Sequence, residues 1–107
     1  MSIAFIEKPP SILNKPDGSS VLFECIVAGT PQPEVKWFFK DNEIKPSDRY
    51  VMKAKKMVGK YTCTLLIKNP KQEDQGIYKV VATNQHGTSE REQNYVLQCV
   101  ANQMYKD

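Results

Sequence analysis

Three cysteines, Cys25, Cys63 and Cys99, and one histidine, His86, have the widest chemical repertoire in this 107-residue chain. A zinc site draws such ligands from closely spaced pairs that converge on one point. Here they are scattered: the cysteines fall among alternating apolar residues, and His86 sits beside Gly87 in turn-forming sequence. No metal or cofactor is expected. As a general base His86 would need an oriented partner and a pocket, and a short loop supplies neither, so it reads as a solvated loop residue. There is no Gly-rich phosphate loop, nucleophile elbow or set of convergent carboxylates. No residue is assigned a catalytic role, and the chain is expected not to be an enzyme.

The same cysteines bear on compartment. An odd number at wide spacing is unlike the paired framework of a small secreted domain. Asn14, Asn42, Asn69, Asn84, Asn94 and Asn102 all lack a hydroxyl residue two positions on, so no glycosylation acceptor occurs. Both points lean toward a reducing, cytoplasmic setting.

Binding chemistry is better represented. Lys53, Lys55, Lys56 and Lys60, flanked by Lys45 and Arg49, gather around a hairpin expected at Gly59. Such a patch would steer an acidic partner such as a filament surface. The plainer reading is a solvated edge that uses lysine against aggregation. A second candidate is the face carrying Phe38 and Val81 among Lys36, Lys40 and Lys79, where two apolar side chains could anchor a partner. A third is main-chain pairing along the first or last strand, with Pro9 and Pro10 partly against the first.

These residues need elements to position them. The length suits one domain with a single core, and 40% hydrophobic with 25% charged residues is ordinary globular composition. A formal net charge of +3, with no basic patch interleaved with stacking aromatics, gives no nucleic-acid signature. No apolar run approaches the length that spans a bilayer, and no signal-peptide core follows Met1, so no membrane partner is expected.

Period-two alternation recurs along the chain. Ala4 to Lys8 reads as a first strand stopped by Pro9-Pro10, with Ser11 to Asn14 as its continuation on another sheet. Val21, Phe23, Cys25 and Val27 share a face; so do Val35, Trp37 and Phe39, which lead to a turn at Asp41-Asn42. Ile44 to Ser47 is a connector or minor edge strand. Tyr50, Met52 and Ala54 alternate with Val51, Lys53 and Lys55, and the return strand points Cys63, Leu65 and Ile67 inward. Tyr78, Val80 and Ala82 define the next strand, and Ser89 to Val100 the last, with Tyr95, Leu97 and Cys99 in phase. Seven or so short strands without a convincing helix predict an all-β fold of two packed antiparallel sheets.

Asp74-x-Gly76-x-Tyr78 leading into such a strand resembles the tyrosine corner of an immunoglobulin sandwich, in which the phenol caps a backbone group. With it in register are the Cys25 to Trp37 interval, Gly29, Pro31 and Pro33 between them, Leu65-x-Ile67, and Val80, Ala82, Asn84 and Gly87. Together they resemble the I-set immunoglobulin family from about residue 5 to about residue 100. The implied architecture is a Greek-key sandwich filling 1–107 as one domain, with 101–107 as a tail or linker. Its core would include Cys25, Trp37, Leu65, Tyr78 and Val80.

One departure stands out. Where the family carries its second core cysteine, two residues after Tyr78, this chain has Val80. The resemblance thus implies that Cys25 makes no inter-sheet bridge, forgoing about 3–4 kcal/mol in the loop-closure account. Cys25 and Cys63 would lie on neighbouring strands of one sheet; a bridge there is conceivable, but strained cross-strand geometry favours two free thiols. Domains lacking the bridge are found in giant intracellular muscle proteins of the titin, twitchin and obscurin type. The resemblance therefore implies a non-catalytic module that spaces filaments, bears load and binds muscle-filament or cytoskeletal proteins and neighbouring immunoglobulin or fibronectin domains. A cell-adhesion or receptor domain and a regulatory module beside a kinase are the alternatives.

Overall fold

The computed structural model describes residues 1–98. Its strands are β1 (Ser2–Asn14), β2 (Ser20–Thr30), β3 (Glu34–Phe39), β4 (Asn42–Glu43), β5 (Tyr50–Met57), β6 (Lys60–Lys68), β7 (Gly76–Asn84) and β8 (Gly87–Tyr95). They form two antiparallel sheets of four, ordered β1-β2-β6-β5 and β4-β3-β7-β8. A single 3-10 turn, Gln72–Asp74, precedes β7. The chain is thus an all-β, two-sheet, immunoglobulin-like sandwich.

Alternation explains the layers. On β2, Val21, Phe23, Cys25 and Val27 are fully buried, while Leu22, Glu24, Ile26 and Ala28 between them stay partly exposed. β6 answers with Cys63, Leu65 and Ile67, and β7 with Tyr78, Val80 and Ala82. Aromatic rings fill the middle: Phe23 lies 4.7 Å from Tyr78, 6.2 Å from Trp37 and 6.1 Å from Tyr95, centroid to centroid. Tilted and edge-on pairs of this kind add about 0.5–1.5 kcal/mol each beyond area burial.

Three expectations about the elements need correction. Pro9-Pro10 does not stop β1, and Ser11 to Asn14 does not move to the other sheet. Ser11, Ile12, Leu13 and Asn14 pair with Glu24, Phe23, Leu22 and Val21 of β2, after register shifts flanking the prolines. Proline has no N–H to give the ladder, and an irregular register removes the need for one. The turn after β3 falls at Lys40-Asp41, both at positive φ, and strand β4 is Asn42–Glu43, ahead of the expected 44–47 segment. Ala54 keeps the expected phase with Tyr50 and Met52, opposite Cys63, but is exposed where those two are partly buried. Finally, β8 begins at Gly87 and ends at Tyr95; Leu97 packs on the core, whereas Cys99, Val100 and the 101–107 tail lie outside the described residues.

The first and last strands run side by side in the same direction. Side chains join them: Asn84 Oδ1 accepts from Ala4 N at 3.2 Å, Ser89 Oγ from Ile6 N at 3.2 Å, and Gln93 Nε2 donates to the Pro10 carbonyl at 2.8 Å. The start of β1 and the end of β8 therefore lie at opposite ends of the sandwich.

Candidate interaction surface

The corner is the most closely bonded polar site. Asp74 is 4% exposed, and its Oδ2 accepts from Arg49 Nη2 at 2.6 Å and from Lys71 N at 2.7 Å. Its backbone carbonyl accepts from the Tyr78 hydroxyl at 2.6 Å. Arg49 Nε also donates to the Lys68 carbonyl at 3.1 Å, so one guanidinium ties β6 to the 3-10 turn. The Arg49 pKa is raised, first by its hydrogen bond to Asp74, and burial pushes the Tyr78 phenol up. Gly76 begins β7 at φ 140°; a Cβ there would come 2.8 Å from Lys40 Cε and 3.1 Å from Phe39 Cε1.

In the core, Cys25, Trp37, Leu65, Tyr78 and Val80 are all at most 2% exposed. Val80 lies opposite Trp37 across the β3–β7 ladder. Cys25 and Cys63 are direct partners across β2–β6, and both are free thiols. His86 is exposed in the two-residue turn between β7 and β8. Among the described residues no three of His, Cys, Asp and Glu come together as a metal group would require.

The basic residues divide. Lys60 Nζ is bonded to Glu7 at 2.6 Å, Lys45 pairs with Glu43 at 3.1 Å, and Arg49 is committed to the corner. Lys53, Lys55 and Lys56 are exposed along β5 and form no ion pair among the described residues. Phe38 and Val81 are only partly exposed. Phe38 pairs with Lys79, whose Nζ stands 5.3 Å from the ring centroid and 3.4 Å from Asp41, and Val81 pairs with Lys36. Lys40 turns instead toward Phe39, 5.2 Å from that ring. The Phe38 face is therefore largely satisfied from within the chain.

Sequence reasoning missed two residues. Arg49 had been grouped with the basic patch; the missing signal was its contact with Asp74, 25 positions away. Asn84 counts in the sequence only as one position of the family motif, yet its amide holds the Ser2 and Pro31 carbonyls at 2.9 and 3.1 Å.

Known proteins show the same pattern. Residues 4–96 match the immunoglobulin I-set domain. Titin of Drosophila melanogaster is 41% identical over 83 residues, covering 78% of this chain and, to the nearest percent, 0% of that protein. Chicken vascular endothelial growth factor receptor 1 is 33% identical over 72 residues, 67% of this chain and 5% of the receptor. The solved twitchin kinase region from C. elegans superposes with a TM-score of 0.72 at 30% identity, covering 85% of this chain and 16% of that one. The chain spans only a small part of the length of each. Its family is typically a non-catalytic one. With the corner, the aromatic core and the two four-stranded layers in place, this chain belongs to the immunoglobulin I-set family.

Proposed function

We propose that the chain is a non-catalytic protein-interaction and spacing module of a sarcomeric or cytoskeletal scaffold, working in the cytoplasm. The observation that carries this is the parallel placement of β1 and β8, joined through Asn84, Ser89 and Gln93. A chain arriving at one end and leaving at the other transmits tension through the sandwich as shear. Tandem copies would then act as links of fixed length. The likeness to fly titin supports the muscle setting. The two buried free thiols suit a reducing compartment, and Val80 leaves no sulfur for an inter-sheet bridge. Its partners would be filament proteins and adjoining immunoglobulin or fibronectin domains, without nucleic acid or membrane. Among the described residues no helix is long and apolar enough to cross a membrane.

The test is a fluorescent fusion of this chain, joined to its parent-chain neighbours, expressed in striated muscle cells. Periodic striations in register with a sarcomeric marker are expected. Diffuse fluorescence, or delivery to the cell surface as the receptor likeness would have it, overturns the proposal.

The twitchin kinase region favours one second reading, a regulatory module set beside a kinase. It requires kinase sequence in the same parent chain and a rise in kinase activity when this domain is deleted.

A further inference from the structure

On the side of the sandwich where β5 and β3 are the neighbouring edges, both are short of partners. β5 is the outermost strand of its sheet, and β4 covers only Phe38 and Phe39 of β3. Between the two edges lies an open cleft of about 300 Å³, lined by Pro33, Val35, Trp37, Met52 and Ala54 together with the polar Gln32, Glu34 and Lys53. Along β5, Met52 and Ala54 pair with the inward residues Leu65 and Cys63, whereas Lys53 and Lys55 pair with Thr64 and Thr62 on the outer face. The edge thus offers, on one side of its pleat, a slot whose apolar part is Val35, Trp37, Met52 and Ala54, and on the other the unpaired ammonium groups of Lys53 and Lys55.

We propose that the β5 edge accepts an extended acidic peptide segment as an added strand. The segment would alternate apolar side chains, set into the cleft beside Trp37 and Met52, with carboxylates beside Lys53 and Lys55. Charge decides the occupant. A second copy pairing β5 to β5 would bring Lys53 and Lys55 against their own kind, and a neutral strand would leave these two outer-face ammonium groups without a counter-charge. An acidic strand removes both costs, so the lysines that repel this chain's own copies also select its ligand. The site rests on the protein-interaction reading above and names a surface and a ligand class for it.

The probe is a blocked nonapeptide alternating valine and glutamate, with a valine–lysine peptide as its counterpart, titrated into the isotope-labelled domain. Trp37 is the only tryptophan, so its emission reports occupation of the cleft directly. Expected are saturable shifts of the β5 amides, a change in Trp37 emission, slowed exchange of β5 amides, and weakening at high salt. Lys53→Glu/Lys55→Glu, at exposed positions, should lower affinity for the acidic peptide roughly tenfold or more and admit the lysine peptide. Melting curves verify that this variant is folded. A variant that melts with the parent but binds the acidic peptide equally well overturns the proposal. So do β5 amides that ignore millimolar peptide, shifts that map to Phe38 and Val81, or an N-methylated peptide that binds undiminished; the first leaves the lysines as edge protection only. None of these results alters where the fluorescent fusion localises, so the two readings fail separately.

Discussion

Cys25 and Cys63 face one another directly across β2 and β6, both buried and neither bonded to another sulfur. The Cys63 partner, with burial, pushes the Cys25 thiol up. Both residues are at most 1% exposed, so no reagent reaches either sulfur while the sheets stay closed. Iodoacetamide at mildly alkaline pH should leave Cys25 and Cys63 unmodified in the native protein and label both in urea. Rapid native labelling of either, or a mass two hydrogens low with both unlabelled after denaturation, would refute the free, closed pair.

Buried acids set the alkaline limit of the fold. Burial, with the nearby charge of Asp74, raises the Tyr78 and Tyr95 phenols. The folded chain therefore keeps protons that the unfolded chain releases, and unfolding becomes easier as pH climbs through that window. The window opens near the ordinary phenol value of 10.0. Above it, each retained proton costs up to about 1.4 kcal/mol per pH unit. Urea midpoints should fall as pH passes about 10; a level or rising midpoint from about pH 10 to 11 contradicts the assignment.

Two ion pairs of equal length should differ sharply in worth. Arg49–Asp74 and Lys60–Glu7 are both 2.6 Å, but the Asp74 side chain is 6% exposed and that of Glu7 38%. Arg49→Ala strands a nearly buried carboxylate and unties two strand-end carbonyls, costing about 2–4 kcal/mol. Lys60→Ala removes a solvated pair worth about 0–1 kcal/mol. Chemical denaturation of the two variants gives the comparison directly. Equal losses would mean that the corner is not organised by Arg49.

How much of this was legible follows from the range of each interaction. Val21, Phe23, Cys25 and Val27 announce their face through local alternation, and Asp74, Gly76 and Tyr78 form a corner within five positions, so both can be read along the chain. The route of β1 past Pro9-Pro10 depends on how β2 shifts register to receive it, which no local pattern encodes. Arg49 and Asn84 find partners 25 to 82 positions away, and residue type alone names no such partner. The β5 cleft is less legible still. It is space left where a two-residue β4 fails to cover β3, a property of what is missing between strands.

Gly76 and Gly59 both hold positive φ, at 140° and 73°, yet their surroundings differ. At Gly59 a Cβ meets nothing within 4 Å, so Gly59→Ala carries only the backbone strain, about 1 kcal/mol. At Gly76 it meets Lys40 Cε, which can swing away, and the Phe39 ring, which cannot: that ring packs 4.6 Å from Tyr78. Gly76→Ala should therefore cost about 2–3 kcal/mol and disturb the Phe39 and Tyr78 ring resonances. A Gly76→Ala protein as stable as Gly59→Ala would show that the corner tolerates a side chain.

Tyr78 and Tyr95 are each 1% exposed and both touch Phe23, with ring centroids 6.2 Å apart, so removing either hydroxyl alters the same core. The hydroxyls are not equivalent. That of Tyr78 donates to the Asp74 carbonyl at 2.6 Å, while that of Tyr95 has no hydrogen-bond partner among the described residues. A buried polar group without a partner keeps its desolvation cost and gains nothing in return. Tyr78→Phe should then destabilise by about 1–2 kcal/mol, because it also orphans a buried carbonyl, whereas Tyr95→Phe should leave stability unchanged or raise it by about 1 kcal/mol. The double variant should lie near the sum, since the two hydroxyls share no partner. Guanidinium denaturation of all three decides it. A Tyr95→Phe loss as large as that of Tyr78→Phe would mean the Tyr95 hydroxyl is satisfied, and that β8 is anchored at its end by a polar contact in addition to its ring.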